Sequence, residues 1–186
     1  MQQDEQTVRA YVGRRSYAMH LARAKKTGLM DHVQELSDAE AVALIWYTSK
    51  KSALFLKRMR SGASRRDDQA FSLVLSSACA KLPPFEGAIV YRVIKLAEHE
   101  FAPFVAKYRA GEVVQWPTFS SCSMSDRTRF NGNVLFAIQH KTGRTIGNYS
   151  WHPGENEVLL PPGRSFRVES LVVPEQGRLE VEIAEM

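Results

Sequence analysis

The stretch Pro83–Lys95, PPFEGAIVYRVIK, divides the chain into two kinds of sequence. From Ile89 the residues are β-branched, aromatic and continuously apolar apart from Arg92, which reads as a strand. Pro83, Pro84 and Gly87 close whatever precedes it. Upstream the pattern is helical. Thr7–Lys26 mixes apolar and basic residues, and Ser37 opens SDAEAVALIWYTSKK. Ser37 and Glu40 have capping-box spacing, and Ala41, Leu44, Ile45 and Tyr47 suit one helical face. After the polar break RSGASRR, Asp67 and Asp68 place negative charge at the positive end of another helix, which runs to Leu82.

Downstream the period changes. A short helix is expected from Ala97 to Tyr108, disturbed at Pro103. Then come TFSSCSMS, NVLFAIQH, NEVLLP, SFRVESLVV and RLEVEIAE, separated by Gly, Asn and Pro turns. Helices followed by strands argue for an α+β fold. The expectation is one domain over 1–186, with a helical subregion at 1–82 and a β-rich core at 83–186.

Composition narrows the classes. The chain has 186 residues, enough for one domain with its own core. No apolar run approaches the roughly 20 residues that cross a bilayer, so no membrane role is expected. The start, MQQDEQTVRA, lacks a basic region followed by an apolar one, and suits the cut end of a longer protein. Cys79 and Cys122 are the only cysteines, too few for a disulfide framework. His20, His32, His99, His140 and His152 lack metal-ligand spacing, and no metal is expected. Residues 1–81 carry 14 Lys/Arg against 8 Asp/Glu, while residues 82–186 carry 11 against 12. A basic first half is either a solvated helical surface or an attraction for acidic partners, nucleic acid included.

Three places could carry chemistry. A guanidinium at Arg92 inside an apolar strand calls for an anionic partner, a phosphate or an internal carboxylate. In FSSCS, strand period puts Phe119, Ser121 and Ser123 on one face, with hydroxyls able to donate to a carboxylate or hold a ribose. In GENEVLLPPG the same period puts Glu155, Glu157 and Leu159 on one face. Two carboxylates in one space raise at least one pKa, and suit a site where positive charge develops. A solvated strand end is the plain alternative. There is no GxSxG elbow.

Taken in order, an aromatic-Arg dipeptide (Tyr91-Arg92), F-x-S-x-S, and E-x-E running into VLLPPGRSFRV resemble the Arg–Ser–Glu class of mono-ADP-ribosyltransferases. LSDAEAVALIWYTSKKS, YRAGEVVQWPTFSSCS and NVLFAIQHKTGRTIGNYS resemble further segments of that family, so the likeness covers residues 37–172. Two departures stand out. The family's usual Ser-Thr-Ser is Ser121-Cys122-Ser123 here, with Cys122 expected on the opposite face. The helical segment continues as ALFLKRMRSG, without the usual Asn and Leu-Arg pair.

The resemblance implies a split β-sandwich core, mixed or antiparallel, with the helical subregion packed on it. It implies NAD+ as co-substrate, without a metal. Arg92, with Tyr91 beside it, would bind the diphosphate. Ser121 would support the catalytic glutamate and the ribose, with Ser123 in the same set. Glu157 would hold the ribose 2′-OH and stabilise the oxocarbenium, and Glu155 would orient or deprotonate the acceptor. MSDRTRFNGN resembles the loop that closes over NAD+, with Arg129 and Phe130, and less strongly Arg127, as contacts. GNYSWHPGE resembles the target-recognition loop, with Tyr149 and Trp151 as exposed aromatic anchors. The E-x-E form implies arginine on a target protein as acceptor. The alternatives are structured RNA, drawn by the basic half, and water, which would make a NAD+ glycohydrolase. Small domains of this kind resemble bacterial toxins or effectors, secreted or delivered within a larger protein to act in a target cell's cytoplasm. They often have an immunity protein covering the NAD+ cleft.

Overall fold

The computed structural model of the chain describes residues 2–33, 35–125, 131–174 and 178–186. Its helices are α1 (Gln2–Val12), α2 (Arg14–Lys26), α3 (Leu29–His32), α4 (Asp38–Tyr47), α5 (Ser52–Arg60), α6 (Arg66–Lys81) and α7 (Phe101–Lys107). Its strands are β1 (Ile89–Ile94), β2 (Val113–Trp116), β3 (Ser120–Ser123), β4 (Val134–Gln139), β5 (Arg144–Thr145), β6 (Glu157–Leu160), β7 (Arg164–Val172) and β8 (Leu179–Glu185). Two compact units result. One comprises Met1–Pro84 and Arg144–Gly154, the other Phe85–Gly143 and Glu155–Met186. Residues 144–154, expected in the β core, therefore cluster with the helices.

In the helical unit, α4 is buried on every side, and Ala41, Val42, Ala43, Leu44 and Ile45 are fully enclosed. The expected one-sided face is thus too modest, because α1, α2 and α6 all pack on this helix. Its start is the capping box the spacing predicts: the Glu40 amide donates to Ser37 Oγ, and the Ser37 amide donates to Glu40 Oε2. Burial would raise the Glu40 carboxyl. Hydrogen bonds from Lys81, the Ser37 amide, Ser77 and the Ser37 hydroxyl hold it down to about 2. An aromatic cluster fills the rest. Tyr11 stacks on Phe71 at 4.4 Å, and Trp46 and Phe55 meet Phe71 edge-on. Asp68, read as helix-end charge, is fully buried, and accepts from Arg58 Nε at 2.7 Å and from the Arg65 amide at 2.9 Å.

In the second unit the strands lie in the order β2-β7-β8-β4-β1-β3-β6. The sheet is mixed and largely antiparallel, with β4 and β8 the parallel pair. One face gathers Val90, Cys122, Val134, Phe136, Ile138, Val158, Leu160, Phe166 and Val181 into a continuous core. Phe104 of α7 packs into it. The region expected as one helix from Ala97 is a 3-10 turn (Glu98–Glu100) followed by α7. Pro103 falls in the first turn of α7, where a missing N–H leaves no intrahelical bond unmade.

Candidate active site

The site is built on β1, β3 and β6, which lie side by side. Tyr91 pairs with Ser123 across β1 and β3. Ser121 pairs with Leu159, and Ser123 with Glu157, across β3 and β6. Directly opposed residues share a face, so Tyr91, Ser121, Ser123 and Glu157 point to one side of the sheet. Cys122 points to the other, into the core, where burial pushes its thiol up to about 12. That thiol is inert as a nucleophile.

Glu157 is the first residue of β6 and is only 6% exposed. Ser121 lies diagonally across the strand pair, within reach of a long side chain. Its Oγ donates to Glu157 Oε1 at 2.6 Å. Burial is the main influence on this carboxyl and raises it. The Ser121 hydrogen bond lowers it, the Glu155 charge raises it and the Arg92 charge lowers it, leaving it at about 7. A carboxyl poised there exchanges its proton near neutrality.

Glu155 is placed differently from the strand-period expectation. It ends a 3-10 turn, Pro153–Glu155, and the strand starts only at Glu157. Asn156 between them has φ 47°, in the left-handed region that Asn visits more readily than most residues. That residue breaks the two-residue alternation. The acids remain coupled all the same, since the Glu155 charge acts on Glu157. The Glu155 backbone is held by Ser123, whose Oγ donates to its carbonyl at 3.1 Å. The Met124 amide fixes the kink by donating to the Asn156 carbonyl at 3.2 Å.

Arg92 pairs with Phe136 in β4, and alternation places it on the side of Val90 and Cys122 rather than with the serines. Its Nη1 donates to the backbone carbonyl of Ser121 at 2.6 Å. Among the described residues no carboxylate lies within ion-pair distance of it. The internal salt bridge that would explain a strand arginine is thus missing from that set. The guanidinium is half-buried, and its charge acts on the buried Glu157, lowering that carboxyl. Among the described residues no group of three or more His, Cys, Asp or Glu side chains could hold a metal ion.

Arg127, Arg129 and Phe130 lie outside the described residues. Tyr149 and Trp151 were expected as exposed anchors. Both are half-buried in the helical unit instead, Tyr149 beside His32 and Trp151 between His20 and Arg23. The sequence reading did not single out His20, Arg23 or Thr48, which hold that segment. No motif could have flagged them, because Arg23 meets its partner 127 residues away.

The site thus pairs a buried acid and a serine on two neighbouring strands, β6 and β3, with an arginine on the adjacent strand β1. A family model for NAD:arginine ADP-ribosyltransferases matches residues 4–186. The chain belongs to that family. It is 35% identical over 155 residues to the putative NAD(+)–arginine ADP-ribosyltransferase Mav of Mycobacterium avium (strain 104), covering 81% of this chain and 18% of Mav. It is 30% identical over 135 residues to the NAD(+)–protein-arginine ADP-ribosyltransferase Tre1 of Pseudomonas putida (strain GB-1), covering 72% of this chain and 26% of Tre1. The chain thus spans about a fifth to a quarter of these relatives. The fold matches the ADP-ribosyltransferase HopU1 of Pseudomonas syringae pv. Tomato DC3000, with a TM-score of 0.83 at 18% identity, over 100% of this chain and 98% of that one. It also matches the type III effector XopAI of Xanthomonas axonopodis pv. citri, with a TM-score of 0.83 at 17% identity, covering 100% and 88%.

Proposed function

We propose that this chain cleaves NAD+ and transfers ADP-ribose to arginine side chains of a target protein. The observation that carries the reading is the 2.6 Å hydrogen bond from Ser121 to the buried Glu157, with Arg92 on the Ser121 carbonyl. Ionised Glu157 accepts from the ribose 2′-OH and stabilises the positive charge that grows on the ribose as its C1′–N bond breaks. The bonding pair leaves with nicotinamide, which departs neutral. Arg92, with Tyr91 nearby, receives the diphosphate, and Ser123 fixes the turn that carries Glu155. Glu155 pairs with the incoming guanidinium and takes its proton as nitrogen bonds to C1′. The sequence resemblance assigns Arg129 and Phe130 to the same nucleotide.

Arginine is favoured over nucleic acid by the E-x-E pair and by relatives named for arginine transfer. Hydrolysis is the side reaction when water replaces the acceptor. The likeness in fold to a type III effector supports action inside a target cell after delivery with a larger protein, with a partner protein capping the NAD+ cleft. The test incubates the protein with labelled NAD+ and a whole-cell lysate, with and without RNase or protease. Label that survives RNase and falls to protease supports the reading. Label lost to RNase overturns the acceptor, and no nicotinamide release overturns the enzyme.

A further inference from the structure

The outer face of α5, wholly within the helical unit, carries charge of one sign. From Lys50 to Arg66 the chain holds seven Lys/Arg and no Asp or Glu. Ser52 and Phe55 of α5 are buried, whereas Ala53, Leu54, Lys57 and Arg60 are exposed. At 3.6 residues per turn these four fall within about a third of the helix circumference. Lys50 and Lys51, in the turn before α5, are exposed too, as are Arg65 and Arg66 where α6 begins. Leu54, in the midst of this charge, is 62% exposed.

A solvated helix ordinarily mixes signs, because like charges on one face repel. α1 shows that arrangement, with Arg9 and Glu5 paired at 2.7 Å across one turn. Of the α5 cations, Arg58 turns inward and is neutralised by the buried Asp68. Among the described residues no carboxylate lies within ion-pair distance of Lys50, Lys51, Lys57, Arg65 or Arg66. The nearby recess of about 280 Å³ is lined by Asp67 and Asp68 as well as by Lys51, Arg58 and Arg65, so its charge is nearly balanced. The excess therefore lies on the outer face.

We infer that the α5 face docks on an anionic phospholipid surface, with Leu54 entering the headgroup layer and Lys50, Lys51 and Lys57 meeting the lipid phosphates and carboxylates. An aliphatic side chain amid cations suits the boundary of a charged bilayer, where apolar insertion and attraction add. Single-stranded nucleic acid calls instead for exposed aromatic rings on which bases stack. The only aromatic residue of this stretch, Phe55, is buried. The lack of a long apolar run, which argued against a membrane role, bears on crossing alone. Among the described residues no helix is long and apolar enough to cross a membrane, and docking on its surface needs none. With one leucine inserted, attraction dominates, so binding is reversible and salt-sensitive.

The experiment mixes the full chain, without NAD+, with vesicles of phosphatidylcholine alone or of phosphatidylcholine and phosphatidylserine. Sedimentation with the vesicles measures binding. The chain sediments with the serine-containing vesicles at low salt, is released by raised salt, and stays in solution with phosphatidylcholine alone. A basic residue at such a surface contributes about a fivefold change in affinity, so the double variant Lys50→Glu, Lys57→Glu binds roughly 25-fold more weakly or worse. Leu54→Ser binds about five- to tenfold more weakly. Lys25→Glu, Lys26→Glu, an equal charge change on the exposed surface of α2, alters binding by less than about threefold. All five positions are exposed, so thermal melts of the variants match the wild type. Binding to neutral vesicles as strong as to anionic ones, no binding to either, or equal losses in the two charge variants overturns the inference. Release of the chain from vesicles by equimolar single-stranded RNA assigns the face to nucleic acid and overturns it as well. The readout uses neither NAD+ nor an acceptor, so its failure leaves the proposed reaction standing.

Discussion

Ser121 Oγ donates to Glu157 Oε1 at 2.6 Å although the two residues are not paired across the sheet; the opposed partner of Glu157 is Ser123. The diagonal contact leaves the second carboxylate oxygen for another donor, the ribose 2′-OH in the proposed reaction. Ser121→Ala removes a hydrogen bond that favours the charged carboxylate. Activity near neutral pH should fall by about ten- to a hundredfold. The midpoint of the pH–rate profile should move upward. A profile that keeps its midpoint would show that Ser121 does not tune Glu157.

Wild-type activity should rise with pH around this carboxyl. Glu157 must be ionised to act, and in the folded chain it sits at about 7 against an ordinary 4.5. kcat/KM for NAD+ should reach half its plateau near pH 7. The stability sign runs the other way. The folded state favours the protonated acid, so this group's contribution is greatest below 4.5 and is lost as pH rises to about 7. Above that pH, Glu157→Gln should relieve roughly 1–3 kcal/mol and raise Tm by about 2–4 °C per kcal/mol, while abolishing nicotinamide release. Thermal melts at pH 5 and pH 8 distinguish a pH-dependent gain from a uniform one.

Glu155 differs from Glu157 in position and so in consequence. It is half-exposed at the end of a turn, and its charge raises Glu157. Glu155→Gln should suppress transfer to arginine by at least about tenfold while leaving most hydrolysis. It should also lower the midpoint of the hydrolysis pH profile. Equal losses of transfer and hydrolysis would contradict its role with the acceptor.

Asn156 is the kink between the acids, at φ 47°. Asn156→Gly should leave stability within a few tenths of a kcal/mol. Asn156→Val should cost about 1–3 kcal/mol, because a β-branched residue resists this backbone shape. The transfer-to-hydrolysis ratio should fall in the valine variant and hold in the glycine variant. Denaturant melts and product partition check both.

His20 gives an acid-side test in the helical unit. Burial first, then the Lys51 and Arg23 charges, push its imidazole down from 6.5 to about 4. The neutral form is favoured on folding, so its contribution is full above 6.5 and is lost as pH falls through about 4. His20→Phe should flatten the loss of Tm between pH 6.5 and 4. An unchanged acid limb would place the titrating group elsewhere.

Much of the architecture was readable along the chain because it depends on local pattern. The Ser37–Glu40 capping box, the helical first half and the strand at Ile89–Ile94 each follow from neighbouring residues. So does the opposite orientation of Cys122 and Ser121, which alternation alone dictates. Three features escaped that logic. Glu155 left the strand because one Asn took a left-handed turn, which no period predicts. Asp68 went from helix-end charge to buried anchor because Arg58 and Tyr11 converge on it. Trp151 turned inward because Arg23, far away in sequence, offered a cation and a donor at once.

The residue types and their order determined the family and the α+β class, and they name the carboxylate–serine–arginine set on which the proposed reaction rests. Tertiary structure decided which oxygen Ser121 meets, how deeply Glu157 is desolvated and what holds the segment before Glu155. Those are properties of distance and dielectric. They arise only where segments remote in sequence exclude water from the same small volume.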